Sequence, residues 1–367
     1  MDLANTNDNL AFDPEGPVLL VGGYGTVGAE LARMAAADWP LLLTGRSEER
    51  GAALARELGD AAVRRWDLAD PAPFAAAARA VVSVVNDPDD RVLRAAARAG
   101  VPYVDVTRWT TRLQRAATVA ALLRPTAPVL LSSAWMGGVT GLVTAALAER
   151  LGGAERVEVA IRWDLADRAG ADSVEFMDRL GLDYEVVRDG RRSAVAPLSG
   201  PRTVRIGDFP TKVAGIDTPE QFTLPLTLGT TTATTRIGFS SQASTTALLA
   251  AKHVGFFRWG RGDRFRSARH AMLYSPGEGG VALLRIDVSH AGRELSALVE
   301  DAAGQAHLTA VGALLGLRRA LGADGAEPPS GVAFPEQTPR PEQVLADLAA
   351  LGVTVKLRSD ERTRAAA

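Results

Sequence analysis

Cysteine is absent from the 367 residues, which removes disulfides, thiolate nucleophiles and thiolate metal sites from consideration. Lysine is scarce as well: Lys212, Lys252 and Lys356 are the only three, so arginine carries the basic charge. The four histidines, His253, His270, His290 and His307, show no paired ligand spacing, which argues against a zinc centre. No apolar run approaches the roughly 20 residues that cross a bilayer. The polar, acidic start of the chain has neither the basic stretch nor the apolar stretch of a signal peptide. A cytoplasmic protein without membrane contact is expected. The net charge of −2 leaves no basic surplus for nucleic acid. No Ser-His-Asp order, nucleophile elbow or paired-carboxylate motif speaks for hydrolysis.

What is present begins with length: 367 residues, 47% of them hydrophobic, suffice for two domains with cores of their own. The chain is organised around residues 18–28, where the apolar run Val18-Leu19-Leu20-Val21 breaks into glycines and then into a helical pattern of Val27, Leu31, Met34 and Ala35. Gly23, Gly25 and Gly28 have the spacing G-x-G-x-x-G in its required strand–turn–helix context. On that pattern Gly23 allows the turn, Gly25 lets backbone N–H groups reach a pyrophosphate, and Gly28 lets the helix pack close to the strand. The phosphates sit on the helix N-terminus, whose unpaired N–H groups and dipole favour negative charge, with Tyr24, Thr26 and Val27 completing the loop.

Further strands are predicted at 39–47, 62–67, 80–86, 101–107 and 128–133, alternating with helices at 48–58, 71–80, 91–99 and 110–124. This alternation predicts an α/β fold, a doubly wound parallel sheet of Rossmann type. The second strand ends in Gly45-Arg46-Ser47 with no acidic residue to bind a ribose 2′-hydroxyl, so NADP(H) is the expected cofactor, its 2′-phosphate on Arg46 and Ser47. Asp67 lies near the adenine or caps the 71–80 helix. Ligands of such sheets bind at the carboxyl ends of the strands. That places Asn86 and Asp87, then Asp105, Thr107 and Arg108, beside cofactor or substrate, with Trp109, Trp135 and Met136 as an apolar wall.

The segments Gly23–Gly28, 44–47, Val85-Asn86 and the stretch Gly100-Val-Pro-Tyr-Val-Asp-Val-Thr107 together resemble the saccharopine dehydrogenase-like NAD(P)-dependent reductases, as do Leu308-Thr-Ala310 and Gly331-Val-Ala-Phe-Pro-Glu336 near the end. The resemblance implies reduction of a C=N bond, or oxidation of an amine, of a small molecule, with Asp87 and Asp105 neutralising the cationic nitrogen, in a homodimer. Enoyl reduction of a lipid or polyketide-like substrate, and cofactor binding without catalysis, are the alternatives. The chain departs from the family pattern at Asp87-Pro88 and at Ala134-Trp-Met-Gly-Gly138.

From 141 onward a helix leads into strand-like alternation at 156–163, 183–188, 202–206, 231–239 and 282–288, with helices at 173–181 and 240–253. A second, mostly antiparallel α+β substrate and dimerisation domain is therefore expected over 141–304, after a dinucleotide-binding domain at 16–140. Tyr184 and Lys212 are its catalytic candidates, with His253 a third by chemistry alone. A helix at 305–321, another at 341–351 and a strand at 353–357 follow; the resemblance implies that 305–358 returns to the nucleotide-binding domain. Tails at 1–15 and 359–367 are expected to be disordered.

Overall fold

The computed structural model describes residues 8–59, 61–167, 177–260, 263–265, 267, 277 and 279–360. The chain divides into two compact units, Met1–Val139 with Thr309–Pro335, and Thr140–Leu308 with Glu336–Ala367.

The first unit carries β1 (Asn9–Phe12), β2 (Val18–Val21), β3 (Leu41–Gly45), β4 (Ala62–Arg65), β5 (Ala75–Ala78), β6 (Ala80–Ser83), β7 (Tyr103–Asp105) and β8 (Val129–Leu131). Its helices are α1 (Thr26–Ala35), α2 (Glu48–Leu58), α3 (Arg91–Ala99) and α4 (Thr110–Leu123). Six of these strands and a two-residue strand from the far end of the chain, Val332–Ala333, form a seven-stranded sheet in the order 332–333, β8, β7, β6, β2, β3, β4. Every pairing in it is parallel. The order reverses between β2 and β6, which makes the carboxyl ends of those two strands the topological switch point. Val18, Leu19, Leu20, Leu43, Val81, Val82 and Val104 are buried, as strands covered on both faces require. The apolar stripes of α1 (Leu31, Ala32, Ala35) and α4 (Leu113, Ala116, Ala120) are buried as well.

Two expectations for this unit are corrected. The alanine-rich segment 71–80 is not a helix: Ala75–Ala78 is a strand, parallel to Asn9–Phe12 and in register with it. Pro71 and Pro73 leave too few residues to overcome helix nucleation, whereas β1 satisfies the backbone and Phe74 stacks on Trp66 with centroids 4.3 Å apart. Within the expected tail 1–15, residues 9–12 are thereby ordered into a strand; 1–7 lie outside the described residues.

The second unit carries α5 (Val139–Leu151, from Thr140 onward), β9 (Arg156–Trp163), β10 (Tyr184–Arg188), β11 (Arg191–Val195), β12 (Arg202–Ile206), β13 (Phe209–Gly215), α6 (Glu220–Thr227), β14 (Thr232–Phe239), α7 (Gln242–His253), α8 (Phe256–Trp259), β15 (Ala282–His290) and β16 (Arg293–Asp301). The long helix α9 (Gln305–Leu321) continues from it into the first unit, where the 332–333 strand is β17. Helix α10 (Val344–Ala350), preceded by a 3-10 turn at Pro341–Gln343, and strand β18 (Thr354–Asp360) lie in the second unit. The sheet runs β11-β10-β14-β9-β15-β16-β18, with β13 also paired to β14 and β12 to β13. It is mixed: β9 and β14 are parallel over eight residues, and the other pairs are antiparallel. Val157, Val159, Ile161, Leu284, Ile286, Val288, Ala297 and Val299 alternate into its core.

Of the segment 305–358 expected to join the nucleotide-binding domain, 309–335 lies in the first unit, while β18 pairs with β16 in the second and includes Ser359 and Asp360 of the expected tail. Pairing across sequence decides this, and composition carries no trace of it. Strands β11, β13 and β16 and helix α6 were not among the predicted elements; each is charged or threonine-rich, so its apolar period is weak. Of the helix expected at 173–181, residues 173–176 lie outside the described residues. No helix among the described residues is long and apolar enough to cross a membrane.

Helix α6 places Thr223 and Thr227 against Glu336, which is 2% exposed; the Thr227 hydroxyl is 3.0 Å from its Oε1. Burial pushes the Glu336 carboxyl up, against the smaller opposing effect of the neighbouring threonine hydroxyls. A raised folded value means that ionisation above the ordinary glutamate range, about 4.3, costs folding free energy in this site, and that the cost vanishes below it. Glu336→Gln should therefore match the wild type in thermal midpoint at and below the ordinary glutamate range and exceed it above that range, the gap widening until the buried carboxyl itself ionises. A wild-type midpoint that gains on the variant as pH rises would show a stabilised carboxylate instead.

Candidate nucleotide and active site

The glycine loop is shaped by close approach. Gly22, with φ +85°, makes the turn out of β2. A Cβ there would stand 2.2 Å from Val85 Cγ1 at the end of β6. Gly23, expected to supply the turn, has no positive φ; it is tight against Leu20 and Leu43, where a Cβ would come within 2.9 Å of each. The turn-making residue is thus one position earlier than the motif spacing suggests. A Cβ on Gly28 would lie 2.1 Å from the Gly22 carbonyl oxygen, so only glycine lets α1 begin this close to the strand. At Gly25 the only neighbour of an added Cβ is that same oxygen, at 3.3 Å, and the outward side is open. Among the described residues no side chain caps α1, and no acid occupies its first turn. Gly25 and Thr26 are exposed. An open, uncapped helix N-terminus behind a glycine is the cradle a pyrophosphate fits.

At the end of β3, Arg46 is exposed and engages no described side chain. The nearest acid, Glu48, accepts the Arg65 N–H at 2.8 Å and so faces β4. The phenol of Tyr24 crosses to this strand end, its oxygen accepting the Ser47 N–H at 2.9 Å. Asp67 accepts the Ala69 N–H at 3.1 Å, closing a turn, and with no helix at 71–80 it caps none.

The ends of β6 and β7 meet at the switch point. The Thr107 hydroxyl donates to the Val85 carbonyl at 3.0 Å, and the Asn86 side-chain oxygen accepts from Arg112. Behind them lies a buried ionic cluster. Asp105, fully buried, accepts from Arg108 Nε at 2.8 Å, from the Tyr103 hydroxyl at 2.5 Å and from the Thr107 N–H at 3.0 Å; Ser133 Oγ also lies 3.3 Å from it. Arg108 is 4% exposed and also pairs with Asp90, which is held by Arg115 Nε at 2.8 Å. Burial works against the charge on Arg108, but Asp105, Tyr103 and Asp90 overcome it and keep the guanidinium protonated. Burial and the adjacent Asp105 push the Tyr103 phenol up, so it holds its proton and donates it.

Asp87 is a helix cap. Its two carboxylate oxygens accept the Arg91 and Val92 N–H groups, each at 2.9 Å, and Arg108 Nη2 stands 4.0 Å away. Burial pushes its carboxyl up, opposed by Arg108 and by those two N–H groups. Asp87, Asp105 and Arg108 are therefore neighbours, as the strand ends suggested, but their polar atoms are turned inward on one another. Trp109 is the half-buried N-cap of α4, and Trp135 is half-buried in the loop after β8. Met136 is buried at φ +56°, a strained value for a side chain of its size, and leads into Gly137 and Gly138, both also at positive φ. Thr309 and Gly312 of α9 pack directly on this loop: a Cβ at Gly137 would meet the Thr309 carbonyl oxygen at 2.4 Å.

In the second unit Tyr184, on β10, is buried and Lys212, on β13, is half-buried; His253 is exposed at the end of α7. Burial pushes the Tyr184 phenol up, so it is protonated at neutral pH. Sequence reasoning did not single out Glu220 or Glu336, both buried there, because nothing in their local pattern marks burial. No group of His, Cys, Asp or Glu among the described residues could hold a metal ion.

No family model matches the sequence, and no curated protein does. Among solved structures the chain is similar to apo saccharopine dehydrogenase (L-Glu forming) from Saccharomyces cerevisiae, with 13% identity, a TM-score of 0.64, and coverage of 94% of this chain and 99% of that one. A putative myo-inositol dehydrogenase from Sinorhizobium meliloti 1021 overlaps at 13% identity and TM-score 0.42, covering 94% and 95% of the two chains.

The Asp87 geometry makes a test. Asp87→Asn keeps one acceptor but turns an NH2 group toward the second helix N–H, leaving one buried donor unpaired. Denaturant unfolding should show a loss of about 1–3 kcal/mol, with nucleotide affinity unchanged. An unaltered midpoint would remove the cap as the role of this residue. Taken with the parallel sheet and its glycine loop, the likeness at TM-score 0.64 establishes the architecture: a Rossmann-like parallel sheet followed by a second unit built on a mixed sheet.

Proposed function

We propose that the chain is an NADP(H)-dependent oxidoreductase that reduces a C=N bond, or oxidises the corresponding amine, in a small molecule. The observation that carries the cofactor assignment is the end of β3, where the exposed Arg46 guanidinium engages no described side chain beside Ser47 and the Glu48 carboxylate is turned away to β4. An acid in that place would bind a ribose 2′-hydroxyl and repel a 2′-phosphate; an arginine does the reverse. In this reading the N–H groups of Thr26 through Gly28 hold the pyrophosphate, with Gly25 leaving room for it, Arg46 and Ser47 hold the 2′-phosphate, and Asn86 and Thr107 border the nicotinamide. When bound, the cofactor supplies the hydride. Asp87 and Asp105 act as positioning residues: Asp105 holds Thr107 at the end of β7, and Asp87 starts α3 beside it. Trp109, Trp135 and Met136 form the apolar border of the substrate side. The C=N assignment is supported by the sequence resemblance and by the fold shared with saccharopine dehydrogenase.

Two measurements test it. Arg46→Ala should weaken NADPH binding by about 1–3 kcal/mol, the range for losing a charge-assisted contact, and leave NADH nearly unchanged in fluorescence titration; equal losses would remove the 2′-phosphate assignment. A panel of imines and enoyl thioesters, read by NADPH consumption, should show turnover of imines. Turnover of enoyl substrates alone would overturn the C=N assignment, and tight NADPH binding without any turnover would overturn the enzyme reading.

A further inference from the structure

The cofactor motif leaves the residue between its first two glycines unspecified, yet the structure builds a seat for Tyr24. Its ring lies across the end of β3 and the first turns of α2. A Cβ on Gly45 would come within 2.4 Å of the phenol oxygen, and one on Gly51 within 2.7 Å of ring Cδ1 and 2.8 Å of Val63 Cγ1. Gly51 stands in the interior of α2, where glycine costs about 1 kcal/mol relative to alanine. That cost makes sense only if something must fit there, and the ring is what fits.

The hydrogen bonding at the phenol oxygen has a direction. Ser47 donates its N–H to that oxygen, at 2.9 Å, which uses a lone pair and leaves the phenol proton to be given elsewhere. Among the described residues no acceptor takes it. The side chain is partly exposed, and its oxygen sits at the N-cap of α2, the position at which such folds read the 2′ substituent of the adenosine ribose.

We infer that the Tyr24 hydroxyl donates to the 2′-phosphate of NADP(H) and is a specificity-determining residue for it, a third donor beside Arg46 and Ser47. This rests on the cofactor reading above and deepens it. A phosphate oxygen makes a short, charge-assisted bond to an O–H; a ribose hydroxyl in the same place is a neutral and weaker acceptor. Tyr24 thus adds discrimination as well as affinity. The ring also fills the space next to Gly45 that an acidic side chain reading a 2′-hydroxyl would need.

The test is Tyr24→Phe in the full chain, which keeps the ring in its seat and removes the hydroxyl, both the donor to the phosphate and the acceptor of the Ser47 N–H. Titrations with NADPH, NADH, 2′,5′-ADP and 5′-AMP are compared, with the thermal midpoint of the free protein as control. NADPH and 2′,5′-ADP should each bind about tenfold more weakly, within the range for one hydrogen bond to a charged group, while NADH and 5′-AMP change less than about twofold and the midpoint falls only slightly, from the lost acceptor of the Ser47 N–H. Gly51→Ala, which strengthens the helix but unseats the ring, should give the same selective loss. Equal losses for phosphorylated and unphosphorylated ligands, or no loss for either, would overturn the inference. Wild-type protein that binds NADH and NADPH equally would overturn the cofactor reading itself. A wild-type preference for NADPH that survives Tyr24→Phe would overturn only the role of Tyr24.

Discussion

The first unit depends on one contact: the approach of Gly28 to the Gly22 carbonyl, so close that a methyl group at Gly28 would stand 2.1 Å from the oxygen. It sets where α1 starts relative to β2, and everything at the nucleotide end follows from that. Its N-cap, Gly25, offers no side chain to cap it, and Gly25 and Thr26 are exposed, so the positive end of the helix dipole faces outward there. Gly22 turns back against Val85, which brings the end of β6 to the loop. Tyr24, carried between the two glycines, is thrown across to β3 and ties the loop to Ser47. Three strand ends are thus joined through one turn, and backbone N–H groups and the exposed Arg46, which engages no described side chain, stand at that edge.

A second constraint, electrostatic, stiffens the other half of the same edge. Three carboxylates, Asp87, Asp90 and Asp105, are buried beside Arg108, with Arg115 reaching in from the surface. A buried carboxylate without a partner costs several kcal/mol, so each oxygen is engaged by a guanidinium, a hydroxyl or a helix N–H. The cluster fixes the loops after β6 and β7, and so the positions of Asn86 and Thr107. It also explains why residues that look available at strand ends, Asp87 and Asp105 above all, have their polar atoms directed into the protein.

The sequence by itself determined the parallel α/β half of the fold. Its helices and strands are long enough, and apolar with sufficient period, that burial is written in local pattern: α2, α3 and α9 stand where periodicity and the glycine at 100 placed them. It also determined the glycine loop after β2, since glycine is the one residue whose presence reports a close approach directly. Tertiary structure decided the rest. The four alanines at 75–78 have no β preference of their own; a partner strand 66 residues upstream makes them one. Strand β18 joins the second unit's sheet because β16 offers it an edge. The burial of Glu336 and the seat of Tyr24 depend on partners 20 or more residues away, which no local window holds. Asp87 and Asp105 turn inward on partners within five residues, the Arg91, Val92 and Thr107 N–H groups, Tyr103 and Arg108, and there the packing of the strand ends, which local pattern does not record, sets the direction.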